Sequence, residues 1–178
     1  MKTIYFVRHG ESEANATGLA AGKELNSPLT AGGREQAKQA GHDLKNKNVE
    51  LIVSSSLIRA HETAKIIAQI VGYDLSEIVI RDDFIERAYG IHSNKSNDEY
   101  LEAARANTLH KSAETAESMY DRTVKGLDWL KKRPETKIVL VSHGGISRVL
   151  RVMHQNLPLN HMYILDRMSN ATVYEFEL

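Results

Sequence analysis

The first ten residues constrain the fold more than any other stretch of this 178-residue chain. Thr3-Ile4-Tyr5-Phe6-Val7 is an apolar run of β-branched and aromatic residues, which is typical of a buried strand. The run ends at Arg8-His9-Gly10, where a cation, a titratable nucleophile and a conformationally free residue follow one another. Because ligands bind at the carboxyl ends of strands in an open α/β sheet, Arg8 and His9 are candidates for an anion site that contains a nucleophile.

The same arrangement recurs twice along the chain. The strand-like run Leu51-Ile52-Val53 is followed by Ser54-Ser55-Ser56, with Arg59 one helical turn further on. A third apolar run, Ile138-Val139-Leu140-Val141, is followed by Ser142-His143-Gly144-Gly145. Three predicted strands therefore each end in polar groups that are suited to binding one phosphate.

Helical patterns alternate with these strands. The clearest carries apolar residues at three-and-four spacing from Leu57 to Val71, and Gly72 suits its C-terminal stop. At the other end of the chain, Tyr174, Phe176 and Leu178 alternate, as in an edge strand of the same sheet. We therefore expect an α/β fold, a three-layer α/β/α sandwich whose mostly parallel central sheet has an antiparallel edge strand.

The composition limits the class of protein. The length fits one domain over residues 1–178, with residues 87–113 as a polar excursion of that domain that forms a substrate wall. A formal net charge of zero predicts neither a nucleic-acid nor a membrane partner. The chain has no cysteine, which excludes disulfides and cysteine catalysis, and its start lacks signal-peptide zones, so we expect a cytoplasmic protein. The oligomeric state is left open, with a homodimer as one option.

Four segments resemble, in order, the motifs of the histidine phosphatase superfamily, which has the phosphoglycerate mutase-like fold. Arg8-His9-Gly10-Glu11-Ser12, with Asn15 just beyond, resembles the first motif, and the segment from Ser54 to Ala64 resembles the second. Glu86-Arg87-Ala88-Tyr89-Gly90 resembles the third motif and Val141-Ser142-His143-Gly144-Gly145 the fourth. The four matches span nearly the whole chain.

The resemblance implies phosphoryl transfer at these residues. It assigns His9 as the nucleophile, because a neutral imidazole can attack phosphorus and form a phosphohistidine. It makes Glu86 the proton donor to the leaving oxygen and then the base that activates water. The remaining site residues are expected to bind the phosphate: Arg8, Arg59, His143, Gly144, Asn15 and Ser12.

A metal centre is the competing interpretation of the same cluster. Two histidines and a carboxylate, His9, His143 and Glu86, are ligands that zinc accepts. Arg8 and Arg59 argue against it, because two arginines repel a cation and attract an anion, and their planar forks suit phosphate oxygens. We therefore expect neither a metal nor another cofactor.

Two chemistries share such a pocket. A phosphatase lets water take the phosphoryl group from His9, whereas a mutase excludes water and returns the group to another hydroxyl. Mutases of this family are longer, while the segment from Glu86 to Glu114 is short here and the chain ends at Leu178 on a predicted strand. We predict a metal-independent phosphomonoesterase acting on a small phosphorylated metabolite, with a cofactor-dependent phosphoglycerate mutase as the alternative.

Two further alternatives are a protein-phosphohistidine phosphatase and a phospho-ligand binder without turnover. The chain also departs from the family after Gly90, where members often continue with Trp-Glu-Gly and this chain has Ile91-His92-Ser93-Asn94. The pocket wall is therefore expected to be rebuilt, and the substrate stays open. Arg87, His92 and Lys95 are candidates for reading a second anionic group, although solvated loop residues are the commoner case.

Overall fold

The computed structural model describes residues 1–178 and contains a five-stranded sheet in the order β3-β2-β4-β1-β5. The strands are β1 (Thr3–Arg8), β2 (Leu51–Ser54), β3 (Val79–Ile80), β4 (Lys137–Ser142) and β5 (Val173–Glu177). The helices are α1 (Glu13–Ala16), α2 (Ala31–Leu44), α3 (Ile58–Val71), α4 (Asn97–Arg105), α5 (Ala116–Lys131) and α6 (Gly144–His154). Short 3-10 turns cover Leu75–Glu77, Asp82–Phe84, Gly90–His92 and Leu159–Tyr163. None of the helices combines the length and the apolar character that crossing a bilayer requires.

Both faces of the sheet are buried under helices. Along β1, Ile4 and Phe6 point into the core shared with α5 and α6, whereas Tyr5 and Val7 point into the core shared with α2 and α3. This alternation follows from the period of two in a strand, and a sheet buried on both faces reads as a continuous apolar run. The structure confirms the predicted three-layer α/β/α sandwich.

The register of the parallel strands brings their carboxyl ends to one edge of the sheet. Strand β4 lies between β1 and β2 and is parallel to both, with Arg8 opposite Ser142 and Ser54 opposite Val141. Strand β5 pairs antiparallel with β1 and forms the predicted antiparallel edge. One residue beyond the paired residues of β1 and β4, the backbone N–H of His9 donates to the carbonyl of Ser142 (2.9 Å). The backbone pairing thus continues into the loop that carries His9.

Local signals fix the ends of the two helices on one face. The Thr30 hydroxyl accepts a hydrogen bond from the Gly33 N–H (2.9 Å) and caps α2. Helix α3 ends at Gly72, whose φ of 76° lies in the left-handed region that glycine adopts without a steric penalty. The predicted helix stop at Gly72 is therefore confirmed.

Residues 87–113 fold over the carboxyl edge of the sheet against the loop that follows α1. The stacked rings of Tyr89 and Tyr100, with centroids 3.8 Å apart, form a small buried cluster with Ala20. Backbone hydrogen bonds join the two segments, from Ala20 N–H to Lys95 O and from Asn94 N–H to Ala20 O (2.9 Å each). The segment thus has a packed cluster of its own and a backbone connection to the rest of the chain.

The packing of α2 on α3 can be tested at Gly41, where a side chain has no room. A methyl group at Gly41 would lie 2.8 Å from Ile70 Cδ1 and 3.0 Å from Ile70 Cβ. We expect Gly41→Ala to lower the free energy of unfolding by about 1 to 3 kcal/mol, because overpacking outweighs the better helix propensity of alanine. Urea denaturation measures the change.

Gly32 in the same helix is the matched control. It is exposed, and a methyl group there would meet Thr30 Oγ1 only at 3.7 Å, an ordinary contact distance. Gly32→Ala is expected to leave the free energy of unfolding unchanged or to raise it by up to about 1 kcal/mol. Equal effects of the two substitutions would contradict the close helix contact.

Candidate active site

A narrow cleft lies at the carboxyl edge of the sheet, directly over the ends of β1 and β4. Most of the predicted site residues meet there, together with residues of the loop after α1, of the 87–113 segment and of the segment before β5. The lining residues are Arg8, His9, Asn15, Leu19, Ala21, Gly22, Arg59, Glu86, Tyr89, Asn97, Gly144 and Arg167.

His9 is buried and held as a neutral ring, with its proton on Nδ1 and its lone pair on Nε2. Its Nδ1 lies 2.7 Å from the Gly10 carbonyl, which can only accept, so Nδ1 carries the proton. Its Nε2 accepts a hydrogen bond from Arg59 Nε (3.2 Å). Burial lowers the pKa of His9 well below its ordinary value, and the charges of Arg59 and Arg8 lower it further. The unprotonated nitrogen of His9 therefore lies beside the cationic groups of the cleft.

Arg59 reaches this position from the first turn of α3. Its side chain is almost fully buried, with 2% of the residue exposed. Its terminal nitrogens donate to the carbonyls of Gly22 (2.8 Å) and Leu25 (3.1 Å), which anchors the loop after α1 to α3. A solvated helix arginine, the commoner fate for such a residue, is thus not what the structure shows.

Arg8 is the second buried arginine of the cleft. One terminal nitrogen donates to the Met168 carbonyl (3.0 Å), and its Nε is buried with no hydrogen-bond partner in the protein. Burial lowers the pKa of Arg8 to about 10, with a further contribution from the charge of Arg167. Arg8 therefore stays a cation at neutral pH and keeps one buried donor for an anion.

His143 lies next to His9, with ring centroids 5.2 Å apart. Its Nε2 is 2.7 Å from the Ser55 hydroxyl, which already accepts from the Leu57 N–H and has no other acceptor in reach. The hydroxyl therefore donates to Nε2, and the ring proton sits on Nδ1, a buried donor without a partner. Burial lowers the pKa of His143 well below its ordinary value, and the charge of Arg59 adds to the effect.

The carboxylate of Glu86 is fixed by two backbone donors. The N–H of Arg87 donates to Oε1 (2.8 Å) and the N–H of Gly145 donates to Oε2 (3.2 Å). A methyl group at Gly145 would lie 2.2 Å from Glu86 Oε1, so only glycine allows the carboxylate to approach the start of α6. Gly144, the first residue of that helix, also lines the cleft.

Asn15 and Ser12 form the capping box of the short helix α1. Ser12 Oγ accepts from the Asn15 N–H (3.3 Å), and Asn15 Oδ1 accepts from the Ser12 N–H (3.2 Å). Asn15 lines the cleft, whereas Ser12 is fully buried and does not. The structure therefore places Ser12 as a cap that positions Asn15, and a direct contact of Ser12 with a phosphate stays a prediction.

Two polar residues at the site, both from the segment before β5, were missed by the sequence analysis because they lie far from any motif. Asn170 Nδ2 donates to the His9 carbonyl (2.7 Å) and approaches Asn15 Oδ1 (3.5 Å). Arg167, three residues earlier, lines the cleft itself. Both lie in the segment before β5, and no local pattern marks them. Only the antiparallel pairing of β5 with β1 brings that segment to the site.

The three residues considered for a second anionic group do not line the cleft. Arg87 is buried, donates to the Glu114 carbonyl (2.6 Å) and to the Tyr100 hydroxyl (3.3 Å), and stacks on the Tyr163 ring. His92 accepts from a backbone N–H on its Nε2, and Lys95 is exposed. Arg87 is thus a structural residue of the wall.

The cluster contains two histidines and one carboxylate, yet no group of three or more histidine, aspartate or glutamate side chains is arranged to hold a metal ion. The cations Arg8 and Arg59 flank His9 instead, and they contribute donors but no ligand atoms. The arrangement suits a tetrahedral oxyanion next to a neutral imidazole.

The chain belongs to the histidine phosphatase superfamily, since residues 4–178 match its branch 1. The uncharacterized phosphatase PhoE of Bacillus subtilis is 34% identical over 151 residues, which cover 84% of this chain and 76% of the relative. A Hydrogenobacter thermophilus protein, provisionally named phosphoserine phosphatase 2, is 28% identical over 188 aligned residues, covering 100% of this chain and 90% of the relative. The predicted family is therefore confirmed, and the chain is an enzyme of the phosphatase class.

A solved structure agrees with this assignment. The protein YhfR of Bacillus stearothermophilus superimposes with a TM-score of 0.85 at 26% sequence identity, covering 100% of this chain and 92% of that chain. The likeness extends over all five strands and both helical layers, so the predicted fold class holds.

The two buried neutral histidines make the stability of the protein pH-dependent. Both have pKa values well below the ordinary range in the folded protein, whereas a histidine in the unfolded chain has a pKa of about 6.5. Below about pH 6.5 the unfolded chain takes up protons that the folded protein does not. We expect the free energy of unfolding to fall on acidification by up to about 1.4 kcal/mol per pH unit for each histidine.

Urea denaturation between about pH 7 and about pH 5 measures this slope. His9→Gln is expected to reduce the slope of the free energy of unfolding against pH by the contribution of one histidine. His42→Gln, at an exposed position of α2, is the control and is expected to keep the wild-type slope. An unchanged slope in His9→Gln would show that His9 takes up a proton as freely in the folded protein as in the unfolded chain.

Proposed function

We propose that the protein hydrolyses small phosphorylated metabolites without a metal, through a phosphohistidine intermediate on His9. The observation that carries the proposal is the state of His9, a neutral ring whose Nε2 lone pair lies between buried arginines while Gly10 holds its Nδ1 proton. A lone pair is what attack on phosphorus requires, and the cations lower the charge repulsion against an incoming phosphate.

In the first step the Nε2 lone pair of His9 forms the N–P bond as the P–O bond to the substrate breaks. Glu86, in its protonated form, gives its proton to the leaving oxygen, so that a neutral alcohol departs. The backbone donors of Arg87 and Gly145 orient the Glu86 carboxyl group for this role. Before the attack, Arg59 Nε has to donate to a phosphate oxygen instead of to His9 Nε2.

In the second step water attacks the phosphohistidine. The Glu86 carboxylate accepts a proton from the water, the new P–O bond forms, and the N–P bond breaks. The electron pair of that bond returns to Nε2, which restores the neutral ring of His9. Inorganic phosphate leaves, and Glu86 is protonated again for the next turnover.

The phosphate is proposed to lie among donors from several elements. Arg8 contributes its unpaired Nε, and His143 contributes its unpaired Nδ1–H. Charge-assisted bonds from such donors stabilise the equatorial oxygens as negative charge develops on them. The remaining proposed phosphate contacts come from Arg59, Asn15 and Gly144, with Ser12 holding Asn15.

Residues 87–113 are proposed to act as the substrate wall of a domain that spans 1–178. Tyr89 and Asn97 from this segment line the cleft, and Arg87 contacts Glu114 and Tyr163. Because this segment covers the carboxyl edge of the sheet, the narrow cleft favours a small metabolite over a folded protein as the substrate. The phosphatase names of the two relatives that cover most of the chain favour hydrolysis over the mutase reaction.

Hydrolysis of p-nitrophenyl phosphate, with and without a chelator, tests the nucleophile. We expect turnover that is insensitive to the chelator and that His9→Gln abolishes, because glutamine cannot form the N–P bond. His42→Gln, on the exposed face of α2, is the matched control and is expected to keep wild-type turnover. Loss of activity with the chelator, or full activity in His9→Gln, would overturn the proposed route.

The mutase and binder alternatives are distinguished in the same assay. 3-Phosphoglycerate is incubated with and without 2,3-bisphosphoglycerate, and the release of inorganic phosphate is compared with the appearance of 2-phosphoglycerate. Phosphate release without isomerisation supports the hydrolase, and isomerisation without release would make the enzyme a mutase. Binding without either reaction would identify a phospho-ligand binder.

The role of Glu86 is tested by the leaving group. Glu86→Gln cannot give a proton, so we expect hydrolysis of an alkyl phosphate to fall by about a hundredfold or more. Nitrophenolate needs little protonation, so the same variant is expected to release it in one fast burst and then stall at the phosphohistidine. Rapid-quench measurement with both substrates detects the difference.

The exposed Glu117→Gln on α5 serves as the matched control and is expected to behave as wild type with both substrates. If Glu86→Gln loses the burst with the aryl phosphate as completely as it loses alkyl phosphate hydrolysis, Glu86 does not act as the acid of the first step.

A further inference from the structure

Arg167 is a cation in the cleft that the phosphate chemistry does not require. It lies between the 3-10 turn Leu159–Tyr163 and strand β5, is partly exposed, and lines the cleft. Its side chain makes no hydrogen bond and no ion pair with the protein. A long side chain with five donors and no internal partner is available to a ligand.

The backbone around Arg167 is fixed to the end of β1. The Met168 carbonyl accepts from Arg8 (3.0 Å), and the Ala171 N–H donates to the Arg8 carbonyl (2.7 Å). Asn170 also donates to the His9 carbonyl (2.7 Å). On the other side of Arg167, the Asp166 carbonyl accepts from Arg151 (2.7 Å), so the backbone of Arg167 has a defined place at the rim of the cleft.

That place is beside Gly144. A methyl group at Gly144 would lie 3.0 Å from Arg167 Cδ and 3.5 Å from Arg8 Nε, so both arginines pack on this glycine. The charges of Arg59 and Arg8 lower the pKa of His9 more than the charge of Arg167 does. Arg167 is therefore an outer cation, and the two inner arginines already flank the nucleophile.

A second outer cation stands beside it. Arg148 on α6 is buried and donates from its Nε to the Leu165 carbonyl (2.9 Å), while its terminal nitrogens bind no protein group. The mutual repulsion of Arg148 and Arg167 adds to burial in lowering the pKa of Arg148. Arg148 does not itself line the cleft, but its charge adds to that of Arg167 at the rim and so favours an anion there.

We propose that Arg167, supported by Arg148, binds a second anionic group of the substrate beside the phosphate held at His9. This inference rests on the proposed function and narrows its substrate class to phosphomonoesters that carry a carboxylate or a second phosphate. The three residues that the sequence analysis considered for a second anionic group, Arg87, His92 and Lys95, do not line the cleft, and Arg87 donates to Glu114 and Tyr100 instead.

Matched substrate pairs test the proposal. 3-Phosphoglycerate and glycerol 3-phosphate differ by a carboxylate, and fructose 1,6-bisphosphate and fructose 6-phosphate differ by a phosphate, so the two pairs separate the two anion types. We expect wild type to favour the anionic member of at least one pair in kcat/KM. Arg167→Met is expected to reduce that preference by about tenfold or more, the range for losing a hydrogen bond to a charged group.

Arg167→Lys keeps the charge without the fork and is expected to restore part of the preference. Arg34 forms an ion pair with Glu62 on the surface. Arg34→Met is therefore the matched control and is expected to keep the wild-type preference for the anionic substrate. No preference in wild type for either pair, or an equal loss on both members in Arg167→Met, would overturn the second-anion site.

Binding keeps this test independent of turnover. Calorimetry with His9→Gln, with and without Arg167→Met, measures the same preference from dissociation constants of the four compounds. If wild type does not hydrolyse p-nitrophenyl phosphate but His9→Gln still shows the Arg167-dependent preference, the proposed hydrolysis fails while the second-anion site stands. If none of the four compounds binds, the second-anion site is wrong.

Discussion

The site depends on the register of three parallel strands. Strand β4 lies between β1 and β2, and its pairing sets Arg8 opposite Ser142 and Ser54 opposite Val141. All three strands therefore end at the same edge of the sheet, and the polar residues that follow them lie close together. A shift of one residue in the pairing register of any of these strands would exchange its two faces. The polar residues at its end would then no longer point into the cleft. The apolar alternation that builds the two cores thus also aligns the chemistry.

The charges of the cleft are oriented by the backbone more than by opposite charges. Arg59 donates to the carbonyls of Gly22 and Leu25, and Arg8 donates to that of Met168. A carbonyl oxygen fixes a guanidinium without neutralising it, so the positive charge stays available to a ligand. The one carboxylate that lines the cleft, Glu86, is bound by backbone N–H groups instead of by an arginine. This arrangement keeps the cations attractive to an anion.

Much of the fold and the inner site could be predicted from the sequence because both rest on short-range patterns. The strand of residues 3–8, the stop at Gly72 and the alternating edge strand follow from periodicity and from glycine chemistry, and the structure has all three. Arg167 could not be found in this way, since its position depends on how β5 returns to β1, more than 150 residues away in sequence. Arg87 looked like a solvated loop residue because nothing local shows that Tyr100 and Tyr163 enclose it.

The hydrogen bond from Arg59 to Nε2 of His9 has a consequence for selectivity. The lone pair that attacks phosphorus in the proposed reaction accepts a hydrogen bond from Arg59 in the resting protein. For that attack, an incoming compound has to replace His9 Nε2 as the acceptor of the Arg59 hydrogen bond. An anion does so because charge-assisted hydrogen bonds to a guanidinium are stronger than neutral ones. A neutral molecule of suitable shape would enter the cleft and find the histidine still engaged. In the proposed mechanism, recognition of charge at Arg59 therefore comes before any bond is made or broken.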